Sequence, residues 1–186
     1  DKLKILAVTG GVPRYLEEVQ PLESAENNIH RLCFTKGSVL SREFGDIFSD
    51  IFGQRSNNFK KIVTALSQGP LSNTQIAELT KLPKTGRLSE YMQELTLSGF
   101  VSKAMSWEIK TKKSLVRNFK YRLKDNYLRF YLKYIEPKLN EINSGQLAQQ
   151  SISSLPNWPA IAGLQFENLV INNAHLVLEA LNLNKN

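Results

Sequence analysis

The segment beginning at Asn58, NFKKIVTALSQGPLSNTQIAELTKLPKTGRLSEYMQELTLSGFVSK, constrains the fold more tightly than any other. Phe59, Ile62, Val63 and Leu66 recur at helical spacing, and Gly69-Pro70 ends the stripe. Ser72 with Gln75 three residues on is a capping box, opening a second helix that contains Ile76, Ala77 and Leu79. Leu82-Pro83-Lys84-Thr85-Gly86 reads as a compact turn. A third helix follows with Leu88, Tyr91, Met92 and Leu95 inward and Gly99 as its stop. Phe100 to Lys103 alternates like a strand, and Phe119, Tyr121 and Leu123 share one face of a return strand in NFKYRLKD. Three helices followed by a two-stranded ribbon make a winged helix-turn-helix.

The flanks are helical too, so the expected class is mainly α. Helices are predicted over Pro13 to Gln20, Leu22 to about Thr35, and Ser38 to Phe52, the last with Val39, Leu40, Phe44, Ile47, Phe48 and Ile51 at helical spacing and Gly53 as its stop. Beyond the ribbon, Asp125 is placed to cap a long helix with Tyr127, Leu128, Tyr131, Leu132 and Ile135 on its apolar face, which Pro137 should bend or divide. Residues 143–159 are polar, carry Gly, Ser and Pro, and read as a linker. A last helix is predicted from Ala160 to about Leu181.

The net charge of +7 is concentrated. Residues 100–124 hold Lys103, Lys110, Lys112, Lys113, Arg117, Lys120, Arg122 and Lys124 against one acid, Glu108. The other residues balance, so this segment accounts for the whole excess. A polyanion partner such as duplex DNA requires such a focus. A solvated hairpin kept from aggregating by like charges would read the same way.

Several classes are excluded or weakened. No stretch approaches the roughly 20 apolar residues of a membrane span, so no membrane partner is expected. The single cysteine, Cys33, allows no internal disulfide and fits a cytoplasmic setting. His30, His175 and Cys33 lack ligand spacing, so no metal site is expected. Glu108-Ile109-Lys110 has the acid-x-lysine spacing of some nucleases but no suitable upstream aspartate, the nearest being Asp50. Glu136-Pro137-Lys138 repeats the spacing on a helix. No catalytic residue is assigned, and nothing in the sequence sets an oligomeric state.

TGGVPRYL, a helical spacer, the winged helix, YRLKDNYLRFYLKYIEPKL and GLQFENLV follow one another in a recognisable order. In that order the chain resembles, over nearly its whole length, the C-terminal half of prokaryotic AAA-type ATPases related to the signal-transducing NTPase class. The resemblance implies four parts: a helical lid-like segment over 1–55, the winged helix over 56–124, a connecting helix over 125–142, and over 143–186 a linker and the first helix of a truncated nuclease-like domain. The chain begins without methionine, as though cut from something longer. ATP and magnesium would then belong to an upstream core, since no GxxxxGK[ST] loop occurs here, and this fragment would hold no cofactor.

The resemblance also gives the glycine turn a role in nucleotide sensing. Gly10 and Gly11 would let backbone approach a base or ribose, Pro13 would stiffen the turn, and Arg14 would reach toward phosphates. The plain alternative is a tight turn with a solvent-facing arginine. Glu167 in FENLV matches the start of the nuclease-like domain but has no partners here, so a surface carboxylate is the better reading.

Two functional expectations follow. In the first, duplex DNA is contacted by Lys84, Arg87 and Gln93 around the third helix and by Lys103, Lys110, Lys112, Lys113, Arg117 and Lys120 on the ribbon. In the second, the winged helix docks on the chain's own upstream ATPase domain or another protein, a use favoured by Glu90 and Glu94 on the third helix.

Overall fold

A computed structural model describes residues 1–84, 86–108, 113–147 and 151–183, with backbone alone for 105–108 and 113–118. The fold is mainly helical, with one two-stranded antiparallel sheet among the described residues. The first helix, α1 (Lys2–Thr9), was not foreseen. Its four-residue apolar run is too short to show a period, yet Ile5 and Val8 face the core and Gly10 closes it in the left-handed conformation. Helices α2 (Pro13–Glu17), α3 (Ala25–Cys33) and α4 (Val39–Phe52) follow, each trimmed relative to expectation. Ser24 shortens α3 by capping it, its hydroxyl accepting from the Asn27 N–H.

Helix α4 carries Phe44, Phe48 and Phe52 at four-residue spacing, and these start an aromatic spine. Phe44 and Phe48 lie 4.8 Å apart and Phe48 and Phe52 4.7 Å apart, centroid to centroid. Phe52 stacks on Phe59 at 4.1 Å, and Phe59 meets the edge of Tyr91 at 4.9 Å. The spine thus passes from α4 into the three-helix unit of α5 (Ser56–Leu66), α6 (Asn73–Thr80) and α7 (Gly86–Leu97). Both halves of the expected capping box form: Gln75 N–H donates to Ser72 Oγ at 3.3 Å, and Ser72 N–H donates to Gln75 Oε1 at 2.9 Å. Ile76 is buried as expected, but Leu79 is exposed on α6, and Ile51 is exposed on α4.

Strands β1 (Val101–Glu108) and β2 (Lys113–Leu123) form the ribbon, pairing Val101 with Leu123, Lys103 with Tyr121, and Met105 with Phe119. The register slips between Met105 and Trp107. Leu71, in the α5–α6 connection, adds a short third rung: its N–H and carbonyl bond to the Tyr121 carbonyl and N–H at 2.9 and 2.8 Å. That bridge pins the ribbon to the three-helix body.

Asp125 caps α8 (Asn126–Phe130), accepting from the Leu128 N–H at 2.9 Å. The helix widens into a π turn over Tyr131–Ile135 and tightens into a 3-10 turn over Glu136–Lys138, before α9 (Leu139–Ser144). Pro137 has no N–H to continue the ladder, which accounts for a change of winding there rather than a break.

The polar stretch after Gly145 is tied down where it is described. Ile152, Leu155 and Trp158 are buried, and Trp158 packs edge-on to Phe130 at 6.0 Å. Glu26 Oε2 accepts from the Ile152 N–H at 2.6 Å. The expected last helix is two, α10 (Trp158–Asn172) and α11 (Ala174–Ala180), separated at Asn173. One hydrophobic core runs through these elements, from Ile5 on α1 to Ile161 on α10.

Candidate nucleic-acid interface

The ribbon leaves the body between two packed surfaces. On one face of its base Val101, Tyr121 and Leu123 are buried in the common core. Alternation turns Arg122 to the other face, where the sequence reading counted it among the cations of the wing. It belongs to the charge count of 100–124 but not to its surface: Arg122 is only 4% exposed and bonds through Nη2 to Asn168 on α10. Its Nη2 also lies 4.0 Å from Glu167 Oε1. Burial lowers the Arg122 pKa, with Glu167 opposing the shift. One of the eight basic residues in 100–124 is therefore internal.

Three cations of the segment with described side chains are exposed. Lys103 is exposed, its Nζ 5.1 Å from the centroid of Phe119, and Lys120 and Lys124 are exposed. Lys103 pairs across the ribbon with Tyr121, and Lys120 with Ala104, so the two lysines occupy opposite faces. Lys110 and Lys112, with Ile109 of the acid-x-lysine triplet, lie outside the described residues. Lys113 and Arg117 are placed in β2 by backbone only, as Glu108 is in β1.

On the three-helix body, Lys84 donates from Nζ to Thr74 Oγ1 at 2.8 Å, which ties the α6–α7 turn to the start of α6. Arg87 and Gln93 are exposed on α7, with Ser89 and Glu90. Arg87 borders a shallow hollow of about 90 Å³ with Leu82, Pro83 and Tyr91. Glu94 is engaged elsewhere: Arg55 donates to both its oxygens, at 2.8 and 3.0 Å. The exposed face of α7 consequently has one cation and one anion, Arg87 and Glu90.

The glycine turn has a structural cause of its own. Gly10 (φ +67°) and Gly11 (φ +77°) are both left-handed, which side chains disfavour. A Cβ on Gly10 would sit 3.5 Å from the Tyr127 backbone nitrogen, so the turn lies directly on the start of α8. Pro13 occupies the first position of α2. Arg14 is 70% exposed and pairs with Glu43 on α4 at 3.2 Å. Beside the turn a cavity of about 240 Å³ is lined by Gly10, Val12, Gly99, Lys124, Asp125 and Asn172 among others.

The sequence reading missed the buried polar cluster behind the ribbon. It comprises Arg122, Asn126, Arg129, Gln165 and Asn168, all at most 7% exposed. Arg129 donates to Gln165 Oε1 at 2.5 Å and to the Leu123 carbonyl at 2.8 Å. Burial, then the neighbouring Arg122 charge, lowers the Arg129 pKa to about 10. Ile161, Gln165 and Asn168 form a stripe along α10 at four- and three-residue intervals. Two amides continuing an apolar face are the signal the sequence carries for it.

Among the described residues no group of three or more His, Cys, Asp and Glu is placed to hold a metal ion, and no helix is long and apolar enough to cross a membrane. Comparison with known proteins found no family model that matches the chain, no matching curated protein and no matching solved structure.

Proposed function

We propose that the chain is a non-catalytic nucleic-acid-contacting module that binds duplex DNA through its basic ribbon. The observation that carries this reading is the β1–β2 ribbon, anchored at its base by Leu71–Tyr121 and exposing Lys103 and Lys120 on opposite faces. A ribbon entering a groove edge-on presents one face to each phosphate rail, and cations on both faces suit that geometry. Arg87 and Gln93 on α7 are then the groups for base edges, and Lys84 lies in the turn leading to that helix. On the resemblance to AAA-type ATPases, an ATP- and magnesium-binding core would lie upstream, and Gly10, Gly11, Pro13 and Arg14 would report its nucleotide state. The Arg14–Glu43 pair gives that report a contact to break, since phosphates compete with Glu43 for the guanidinium.

A specific observation favours a second reading, protein docking. Leu3, Phe166, Ile171, Leu176, Leu178 and Leu181 are exposed, five of them on or next to α10 and α11. In that reading the module packs on the upstream domain or another protein without touching DNA.

Fluorescence anisotropy with a labelled duplex separates the two. Saturable binding at low salt that weakens in Lys110→Ala/Lys112→Ala/Lys113→Ala supports the ribbon contact. No binding at low salt, together with association to the separately produced upstream part, replaces it with docking.

A further inference from the structure

The buried polar cluster joins three places distant in sequence. Asn168 Nδ2 donates to the Leu123 and Lys124 carbonyls, at 2.9 and 3.1 Å, and to Asn126 Oδ1 at 2.8 Å. Its own Oδ1 accepts from Arg122. One side chain of α10 thus holds the last residues of β2 from both the side-chain and the main-chain direction. Gln165, one turn earlier, accepts from Arg129 and donates from Nε2 to the Asn126 carbonyl at 2.7 Å and the Ala7 carbonyl at 2.9 Å. Ala7 lies in the last turn of α1, three residues before Gly10. Asn126 closes the circuit by donating to the Gln165 carbonyl at 3.2 Å.

The electrostatics make this more than ordinary packing. Two guanidinium groups are buried side by side with no carboxylate within hydrogen-bonding distance among the described residues; Glu167, at 4.0 Å, is half exposed. Their Nη groups donate to carbonyl and amide oxygens, the Nε of each is buried without a hydrogen-bond partner among the described residues, and the Asp125 and Glu167 carboxylates act on Arg129 from farther away. Such an arrangement tolerates little displacement, because a donor or acceptor that moves out of reach is left both buried and unpaired. A packed polar cluster of this kind holds one geometry or opens as a unit.

We propose that Arg122, Arg129, Gln165 and Asn168 form a latch that makes the position of the ribbon base and the position of the glycine turn one coupled variable. Helix α10 is the common bar: Asn168 grips the end of β2, Gln165 grips the end of α1, and Arg129 ties Gln165 to the Leu123 carbonyl. Gly10 provides a second link, resting on the Asn126–Tyr127 backbone. A ligand or partner that lifts the turn reorients the ribbon, and a polyanion that draws the ribbon away loosens the turn, as linkage requires. These are positioning residues and touch no nucleic acid themselves. The latch concerns the free chain, so it stands or falls independently of DNA binding.

Hydrogen exchange on the intact chain tests it. The turn is read at the amides of Gly10, Gly11 and Val12. The ribbon base is read at those of Leu71, Tyr121 and Lys124, which bond to the Tyr121, Leu71 and Phe100 carbonyls. Gln165→Glu keeps an acceptor for Arg129 but removes the donor to the Ala7 and Asn126 carbonyls. The latch predicts that both amide sets exchange faster, on the order of tenfold, while the Ile62 and Val63 amides in α5 do not change. Gly10→Ala perturbs the same system from the other end with the cluster intact, and the same pair of responses is expected. Faster exchange at the turn with an unchanged ribbon base overturns the coupling, as does no change at either place. Acceleration at the α5 amides as well reduces the effect to global destabilisation and also overturns it. If the glutamate variant fails to fold, Gly10→Ala alone decides.

Discussion

The salt dependence of DNA binding is the sharpest prediction, because the structure changes the number that the sequence gives. Eight basic residues lie in 100–124, and with Arg122 internal at most seven could meet phosphates. Counterion release gives a slope of log K against log salt of about −0.9 per neutralised phosphate, so full engagement of seven sets a limit near −6. A fourfold rise in salt, from 50 to 200 mM, then weakens binding by up to ~6,000-fold. Replacing Lys103 and Lys120 by alanine removes two contacts and should make the slope shallower by about 1.8, cutting the same loss to ~500-fold. The assay is anisotropy of a labelled duplex across that salt range, with folding checked by circular dichroism. An unchanged slope in the double variant would refute the claim that these two faces of the ribbon meet phosphates. So would a wild-type slope much steeper than −6, since the cations would then have to come from elsewhere.

Three further outcomes are expected. Cys33 is fully buried and burial pushes its thiol pKa up, so it should resist a chromogenic disulfide reagent in the native chain and react at once in denaturant. Phe59→Ala removes a fully buried ring stacked on Phe52 and edge-on to Tyr91, and should cost about 3–5 kcal/mol in urea unfolding. Burial alone would raise the Glu26 pKa, but hydrogen bonds from Lys4, the Ile152 N–H and Ser151 outweigh it and hold the carboxyl below its usual value. Its contribution is therefore present above the unfolded carboxylate pKa and lost as pH falls through the lower folded value. The melting temperature of Glu26→Gln should accordingly fall less than that of the parent on acidification below about pH 4.

How much of this was legible depended on whether local pattern or long-range packing made the decision. The capping box at Ser72–Gln75 and the stripe Leu88-Tyr91-Met92-Leu95 are set by neighbours within one helix, so the sequence displays them directly. Helix α1 has four consecutive apolar residues, and only its burial against α8 and α10 selects which of them face inward. The stretch around Ile152 and Trp158 has linker composition because a few anchors suffice to hold it; their partners, Glu26 and Phe130, are far away in sequence. Arg122 misled for the same reason. In a strand of alternating cations and aromatics nothing local distinguishes Lys120, which is exposed, from Arg122, whose partner Asn168 lies 46 residues on.

The division of charge between ribbon and helix bears on what kind of DNA contact the module would make. With Glu94 paired to Arg55, the outward face of α7 sets Arg87 against Glu90 and is close to neutral. A neutral helix adds little sequence-independent attraction, so affinity would rest on the ribbon and discrimination on Arg87 and Gln93. Affinity and selectivity should then separate under mutation. Ribbon substitutions would lower binding to every duplex alike, whereas changes at Arg87 or Gln93 would alter only the ratio between sequences, each by the 1–3 kcal/mol that a bidentate base contact contributes.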